Sequence, residues 1–200
     1  MIKHPLIEKI KPYMSEKRLK HTLGVAEMAE KLAAFSIPER TEELIVAALL
    51  HDISKELSHD EQMDMIKLDG ILLEDDELCS PEIFHSYTAP YVIKRDFPEY
   101  ASEDILSAVR NHTVGAVDMT VFDEIIFLSD YIEEGRTYQS CIDLRHRVLL
   151  AMCTDTEANT RVLHRACIES INNTERALSL KGKSLTKKTL LVKKSLESKI

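Results

Sequence analysis

The chain has 200 residues, enough for one domain with a short appendage, and 44% of them are hydrophobic, enough for a core. With only 5 Gly, 6 Pro and no Trp it lacks the turn residues of a strand-rich fold, so long helices packed through Leu, Ile, Val and Ala are expected. A net charge of −8 argues against a general nucleic-acid binder, and no segment approaches the ~20 apolar residues of a membrane span.

The opening M-I-K-H-P-L-I-E-K-I has no apolar run of signal-peptide length. Ser15 can cap a helix through K-R-L-K-H-T-L-G-V-A-E-M-A-E-K-L-A-A-F, with Leu19, Leu23, Ala26, Ala29 and Ala33 on its apolar side. Pro38 suits a first helical turn, and the helix it opens runs through E-E-L-I-V-A-A-L-L to His51. Ser58 and Glu61 form a capping box for a more polar helix over 59–68. The segment D-G-I-L-L-E-D-D-E-L reads as a loop. Ser80-Pro81 starts a helix that carries His85 and is interrupted or kinked near Pro90. Ser102 caps E-D-I-L-S-A-V-R-N-H, which ends near His112 and Gly115, and Thr120 caps V-F-D-E-I-I-F-L-S-D-Y-I. Two more helices fill roughly 137–152 and 155–179. No repeat and no convincing strand is visible, so the fold class is all-α.

Residues 181–200 hold seven Lys and one Glu. They are expected to be a basic C-terminal tail, solvated and partly frayed, beyond a domain spanning 1–180. An arm for an anionic partner is the sharper alternative. Cys79, Cys141, Cys153 and Cys167 form no C-x-x-C pair and match no disulfide framework, so they read as reduced thiols of a cytoplasmic protein.

Two His-Asp dipeptides occur, and context separates them. His59-Asp60 lies in a polar first turn, where an acid favours the helix dipole and nothing more is needed. His51-Asp52 instead terminates the most apolar helix of the chain. Charged groups there need partners, and a metal ion accepts both an imidazole and a carboxylate. His21, His85, His112 and Asp130 each lie on or at the end of another helix. Singly they read as satisfied core residues; together, converging helices can gather them at one centre. His4 and His164 show no obvious partner, and His146 reads as surface.

The ordered set His21, His51-Asp52, His85, His112 and Asp130 resembles the HD-domain superfamily of metal-dependent phosphohydrolases. The segments R-L-K-H-T-L-G-V-A-E-M-A, A-A-L-L-H-D-I-S-K, H-S-Y-T-A-P, N-H-T-V-G-A-V-D-M and L-S-D-Y-I-E-E-G-R carry it over residues 18–136. Within that superfamily they are most similar to the YqeK-type proteins, the bacterial symmetrical diadenosine-tetraphosphate hydrolases. The family usually follows its third histidine with Gly-Pro, whereas this chain has Ser86-Tyr87.

The resemblance implies an HD-type helical bundle with a dinuclear iron site. His21, His51, Asp52 and Asp130 would hold one ion, and Asp52, His85 and His112 the second, with Asp52 bridging. Ligation by N and O without thiolate suits Fe or Mn and leaves Zn and Co open. A hydroxide generated between the metals would attack an inner phosphorus of diadenosine tetraphosphate and release two ADP. Lys55 is a candidate for phosphate contact or leaving-group stabilisation, and Arg136 for a phosphate clamp. Arg18 is a weaker candidate that can equally pair with a helix acid. Thr113-Val114-Gly115 can bring backbone close to the nucleotide. The resemblance also suggests a homodimer. The rival readings are another HD phosphohydrolase, acting on nucleoside mono-, di- or triphosphates or cyclic dinucleotides, and a noncatalytic nucleotide-binding HD module.

Overall fold

Local capping chemistry decides where most helices begin. The computed structural model describes residues 2–152 and 154–200, and among them there is no strand. After a short α1 (Leu6–Ile10), α2 (Glu16–Ser36) starts where the Ser15 side chain accepts the Arg18 N–H. Pro38–Arg40 make one 3-10 turn into α3 (Thr41–Leu50). The capping box of Ser58 and Glu61 opens α4 (His59–Leu68). A second box, Glu74 with Glu77, makes the single turn α5 (Asp75–Leu78), so the stretch expected to be a loop contains one helical turn.

Pro81–Ile83 form a 3-10 turn ahead of α6 (Phe84–Asp96), which is continuous through Pro90, so the expected interruption is absent. Proline removes one ladder hydrogen bond. Here Ala89, Pro90, Val92 and Ile93 are buried against neighbours, which offsets that loss. Ser102 caps α7 (Glu103–Asn111), and Thr120 with Asp123 boxes the start of α8 (Val121–Ile132). The chain then runs through α9 (Gln139–Ala151) and α10 (Thr156–Ser179).

The core is organised around α3. Every residue from Leu44 to Leu50 is buried, which is the mark of a helix surrounded on all sides. It packs against α2, α7 and α8. Ala26, Ala29 and Ala33 give α2 a small-residue face with no solvent exposure, so the two helices approach closely. The C-terminal end of this surrounded helix therefore lies in the protein interior, and the next residues are His51 and Asp52.

The C-terminal segment corrects the expectation of a solvated, frayed end. Residues 187–197 form α11 (Lys187–Glu197), with Val192 and Leu196 buried in the main core. Gly115 makes this possible. Its φ is +76°, and a Cβ there would lie 2.8 Å from Val192 Cγ1. Only glycine satisfies both demands. Lys188 lies 5.3 Å from the centre of the Tyr87 ring, and Thr189 Oγ1 donates to the Val114 carbonyl at 3.1 Å. Cys79 is exposed, Cys141 and Cys167 are buried, and all three are free thiols. Cys153 lies outside the described residues.

Candidate active site

Beyond Leu50 the chain turns sharply. The N–H groups of Ile53, Lys55 and Leu57 bond to the carbonyls of Leu50, Asp52 and Ser54. This places the His51 and Asp52 side chains, 0% and 3% exposed, among α2, α6, α7 and α8. Ser54 fastens the turn to α6 by donating to the His85 carbonyl at 3.0 Å and meeting Thr88 Oγ1 at 2.7 Å. The six expected ligands come together. Asp52 Oδ1 lies 3.2 Å from His85 Nε2 and 3.7 Å from His112 Nε2. Its Oδ2 lies 3.3 Å from His51 Nε2 and 3.7 Å from His21 Nε2. Asp130 Oδ1 is 2.9 Å from His21 Nε2.

Whether these groups suit a metal ion follows from where their protons go. His51 Nδ1 donates to the Ala48 carbonyl at 2.6 Å, and His112 Nδ1 to the Val109 carbonyl at 2.6 Å. A carbonyl only accepts, so each neutral ring carries its hydrogen on Nδ1 and a lone pair on Nε2. Buried His51 Nε2 has no hydrogen-bond partner, yet it faces the carboxylate oxygen of Asp52. Two acceptors turned toward each other in the interior call for a cation between them. The ligand atoms of His21, His51 and Asp130 lie within 4.8 Å of one another, as do those of His51, Asp52 and His112. The donor set is imidazole and carboxylate without thiolate, which fits Fe, Mn, Co or Zn.

The electrostatics hold the carboxylates ionised. Burial pushes the Asp52 carboxyl up, but protons on the facing nitrogens of His51 and His112, in the place a metal ion would take, hold it well below the usual carboxylate range. Burial likewise opposes ionisation of Asp130, which the His21 hydrogen bond and the Arg136 charge hold well below that range. Burial acts to lower the His21 pKa; its hydrogen bonds to Asp130 and Glu133 outweigh this and push it up to about 9. Burial, His112 and Lys55 depress His85 well below its ordinary value.

Three cations border the cluster. Arg18, the weaker candidate by sequence, donates to Asp52 Oδ2 at 2.5 Å. Lys55 Nζ lies 3.0 Å from His85 Nδ1 and donates to the Glu82 carbonyl at 3.1 Å; burial lowers its pKa. Arg136 donates to Asp130 through Nη2 at 2.6 Å and to the Asp130 carbonyl through Nε at 2.9 Å. It therefore orients a carboxylate of the cluster.

Two residues at the site escaped sequence reasoning. Glu133 meets His21 Nδ1 at 3.1 Å, fixing which nitrogen faces Asp130 and Asp52. Although its neighbour His146 is exposed as expected, Arg145 is buried. Its Nη1 donates to the carbonyls of Ile132 and Glu133, at 2.9 and 2.6 Å, and so ties down the end of α8. The spacing Asp130-x-x-Glu133 was a usable signal for the first; nothing local announced the second. The other histidines lie away from the cluster. His146 is exposed, His59 pairs with Asp60 on the surface, and His4 and His164 do have partners, Glu42 and Glu124.

A cavity of about 470 Å3 opens from His112 and Asp130 and extends to α10 and the residues before α11. Its size is that of a small-molecule site.

Residues 18–135 match the HD domain family. The chain is 31% identical over 185 residues to the symmetrical bis(5′-nucleosyl)-tetraphosphatase of Halalkalibacterium halodurans, covering 92% of this chain and 91% of the relative. It is also 31% identical to the Bacillus subtilis enzyme of the same name over 186 residues, 91% of this chain and 90% of that one. A crystal structure of a predicted HD superfamily hydrolase involved in NAD metabolism, from Clostridium acetobutylicum, superposes with a TM-score of 0.83 at 28% identity, covering 98% and 96% of the two chains. The matched span contains all six clustered residues, so the chain belongs to the HD-domain family of phosphohydrolases and groups with its symmetrical bis(5′-nucleosyl)-tetraphosphatases.

Proposed function

We propose that this HD phosphohydrolase cleaves diadenosine tetraphosphate, and related dinucleoside polyphosphates, symmetrically into two ADP. The observation that carries the reading is Asp52: one oxygen faces His85 and His112, the other faces His21 and His51. A single carboxylate shared by two imidazole pairs is suited to two cations. His21, His51, Asp52 and Asp130 would hold the first, and Asp52, His85 and His112 the second, with iron or another divalent metal of similar preference. Such ions, when bound, lower the pKa of water and polarise phosphoryl oxygens.

The chain's own residues supply the rest. A tetraphosphate brings more negative charge than the centre absorbs, and Lys55 lies beside His85 where a bridging or leaving phosphate oxygen would pass. Burial makes its ammonium costly when unpaired, which favours capture of an anion. Arg136 holds Asp130 in place and, being only half-buried, presents part of its guanidinium to incoming phosphate. Symmetrical cleavage needs attack at an inner phosphorus, so the substrate must extend on both sides of the centre. The relatives named for this reaction support that substrate.

A panel of nucleotides with the metal-loaded protein tests the reading. Diadenosine tetraphosphate is expected to have the highest kcat/KM. Faster turnover of a mononucleotide, a deoxynucleoside triphosphate or a cyclic dinucleotide would replace it.

A further inference from the structure

About half of the lining of the cavity beside the cluster comes from a part of the chain that lies beyond the matched HD residues. Ser170, Ile171, Thr174 and Leu178 of α10 form one wall, and residues 182–186 with Thr189 form another. We propose that this C-terminal wall is the pocket for one nucleoside of the substrate, with the base and ribose between Thr174, Leu178 and Leu185 and the phosphates running toward His112 and Asp130. The proposal deepens the reading above and rests on it for the identity of the ligand.

Three observations support it. The cavity is continuous with the cluster, since His112, Thr113 and Asp130 line its inner end. Its outer walls combine apolar side chains, Ile171, Leu178 and Leu185, with hydroxyls, Ser170, Thr174 and Thr186. Ser170 and Thr174 already donate to the carbonyls of Cys167 and Ser170, so their oxygens are acceptors for ribose hydroxyls and base N–H groups, while the apolar faces supply stacking area. The wall is also fixed in place. The Lys187 N–H donates to Asp76 at 2.6 Å, Lys183 pairs with Glu82 at 2.8 Å, and Lys199 donates to the Met119 carbonyl at 3.0 Å. Asp76, Glu82 and Lys183 line the same cavity, so the bonds that dock the segment also shape the pocket.

The lysines of the segment thereby acquire a use. Lys183 stands at the cavity, exposed and paired across it with Glu82, the residue whose carbonyl accepts from Lys55. The phosphate-facing cations and the nucleoside wall are thus joined through Glu82. Outer walls of mixed apolar and hydroxylated character select for a neutral nucleoside over inorganic polyphosphate.

The test uses ADP, which carries one nucleoside and two phosphates, as the probe of the metal-loaded, full-length protein. Thr174→Phe would fill the pocket from α10. It is expected to weaken ADP binding by calorimetry at least tenfold and to raise KM for diadenosine tetraphosphate similarly, with metal content and Tm at wild-type values. Leu178→Trp supplies a second readout, because the chain has no tryptophan of its own. The emission of this variant is expected to change saturably with ADP. The inference is overturned if the wild-type protein does not bind ADP, if a folded Thr174→Phe variant binds it with wild-type affinity, or if the emission of the Leu178→Trp variant is unmoved at saturating ADP. Tight ADP binding that Thr174→Phe abolishes, in a protein that leaves diadenosine tetraphosphate intact, would support the pocket and refute the proposed reaction. Turnover of the tetraphosphate with unchanged KM in Thr174→Phe would do the reverse.

Discussion

Glu133 reaches His21 across a glycine. Its Oε1 lies 3.1 Å from His21 Nδ1, and its Oε2 occupies the space where a Cβ on Gly24 would stand, 2.5 Å away. Glycine inside a helix costs about 1 kcal/mol relative to alanine, so the helix gives up stability at Gly24 in return for a carboxylate behind a histidine of the cluster. Gly24→Ala is expected to dislodge Glu133 and release the His21 ring. Metal affinity should fall about 10–100-fold, the usual effect of losing an outer partner of a ligand, while Tm moves little. Metal titration of the two proteins checks this; equal affinity would remove Glu133 from the account.

In the proposed centre Asp52 would be the oxygen ligand common to both ions, so its loss should be all-or-none for that centre. Asp52→Ala is expected to abolish both metal retention and hydrolysis while far-UV circular dichroism keeps its helical amplitude. The helices around it are held by apolar contacts of α3 that do not involve the carboxylate. Full metal occupancy with normal turnover in this variant would end the bridging assignment.

The capping box at Thr120 offers a contrast between stability and chemistry. Its Oγ1 accepts the Asp123 N–H at 3.2 Å, and Asp123 returns the bond to the Thr120 N–H at 2.8 Å. Thr120→Ala should cost about 0.5–2 kcal/mol in urea unfolding. The cap lies at the opposite end of α8 from Asp130, so the KM of the folded enzyme should hold. A large change in KM would mean that α8 moves as a unit when its cap is lost.

A buried pair far from the cluster sets one pH dependence. Burial pushes the Glu124 carboxyl above its ordinary 4.5, against the pull of His164 at 2.6 Å and of Lys199. A folded-state pKa above the unfolded one gives stability that is complete below the unfolded value and is lost as pH rises through the folded value. The wild-type protein should therefore lose part of its stability as pH rises above 4.5. Glu124→Gln should flatten that slope. Urea midpoints across that rise decide it, and identical slopes would mean that Glu124 does not titrate there.

What could be read from the amino-acid order depended on how local the cause was. Ser15, Ser58, Ser102 and Thr120 announce their helices because a cap acts over three residues. His21, His51-Asp52, His85, His112 and Asp130 were visible as an ordered set of unusual residues on apolar helices, and the structure brings all of them to one place. Arg145 was hidden because its partners are carbonyls at the end of another helix, and no pattern around an arginine reveals that. The C-terminal helix was misjudged for a different reason. Thr189, Val192 and Leu196 recur at spacings of three and four, a helical stripe, but the surrounding lysines dominated the composition. Gly115, singled out only as a helix end, turned out to be where that stripe docks.

The most direct test of the central claim is identification of the products after incubating iron-loaded protein with diadenosine tetraphosphate. ADP as the sole nucleotide product is the predicted result, since attack at an inner phosphorus with ADP as the leaving group divides the tetraphosphate evenly. AMP together with ATP would contradict it, leaving the His and Asp cluster in place but moving the cleaved bond to the outer phosphate.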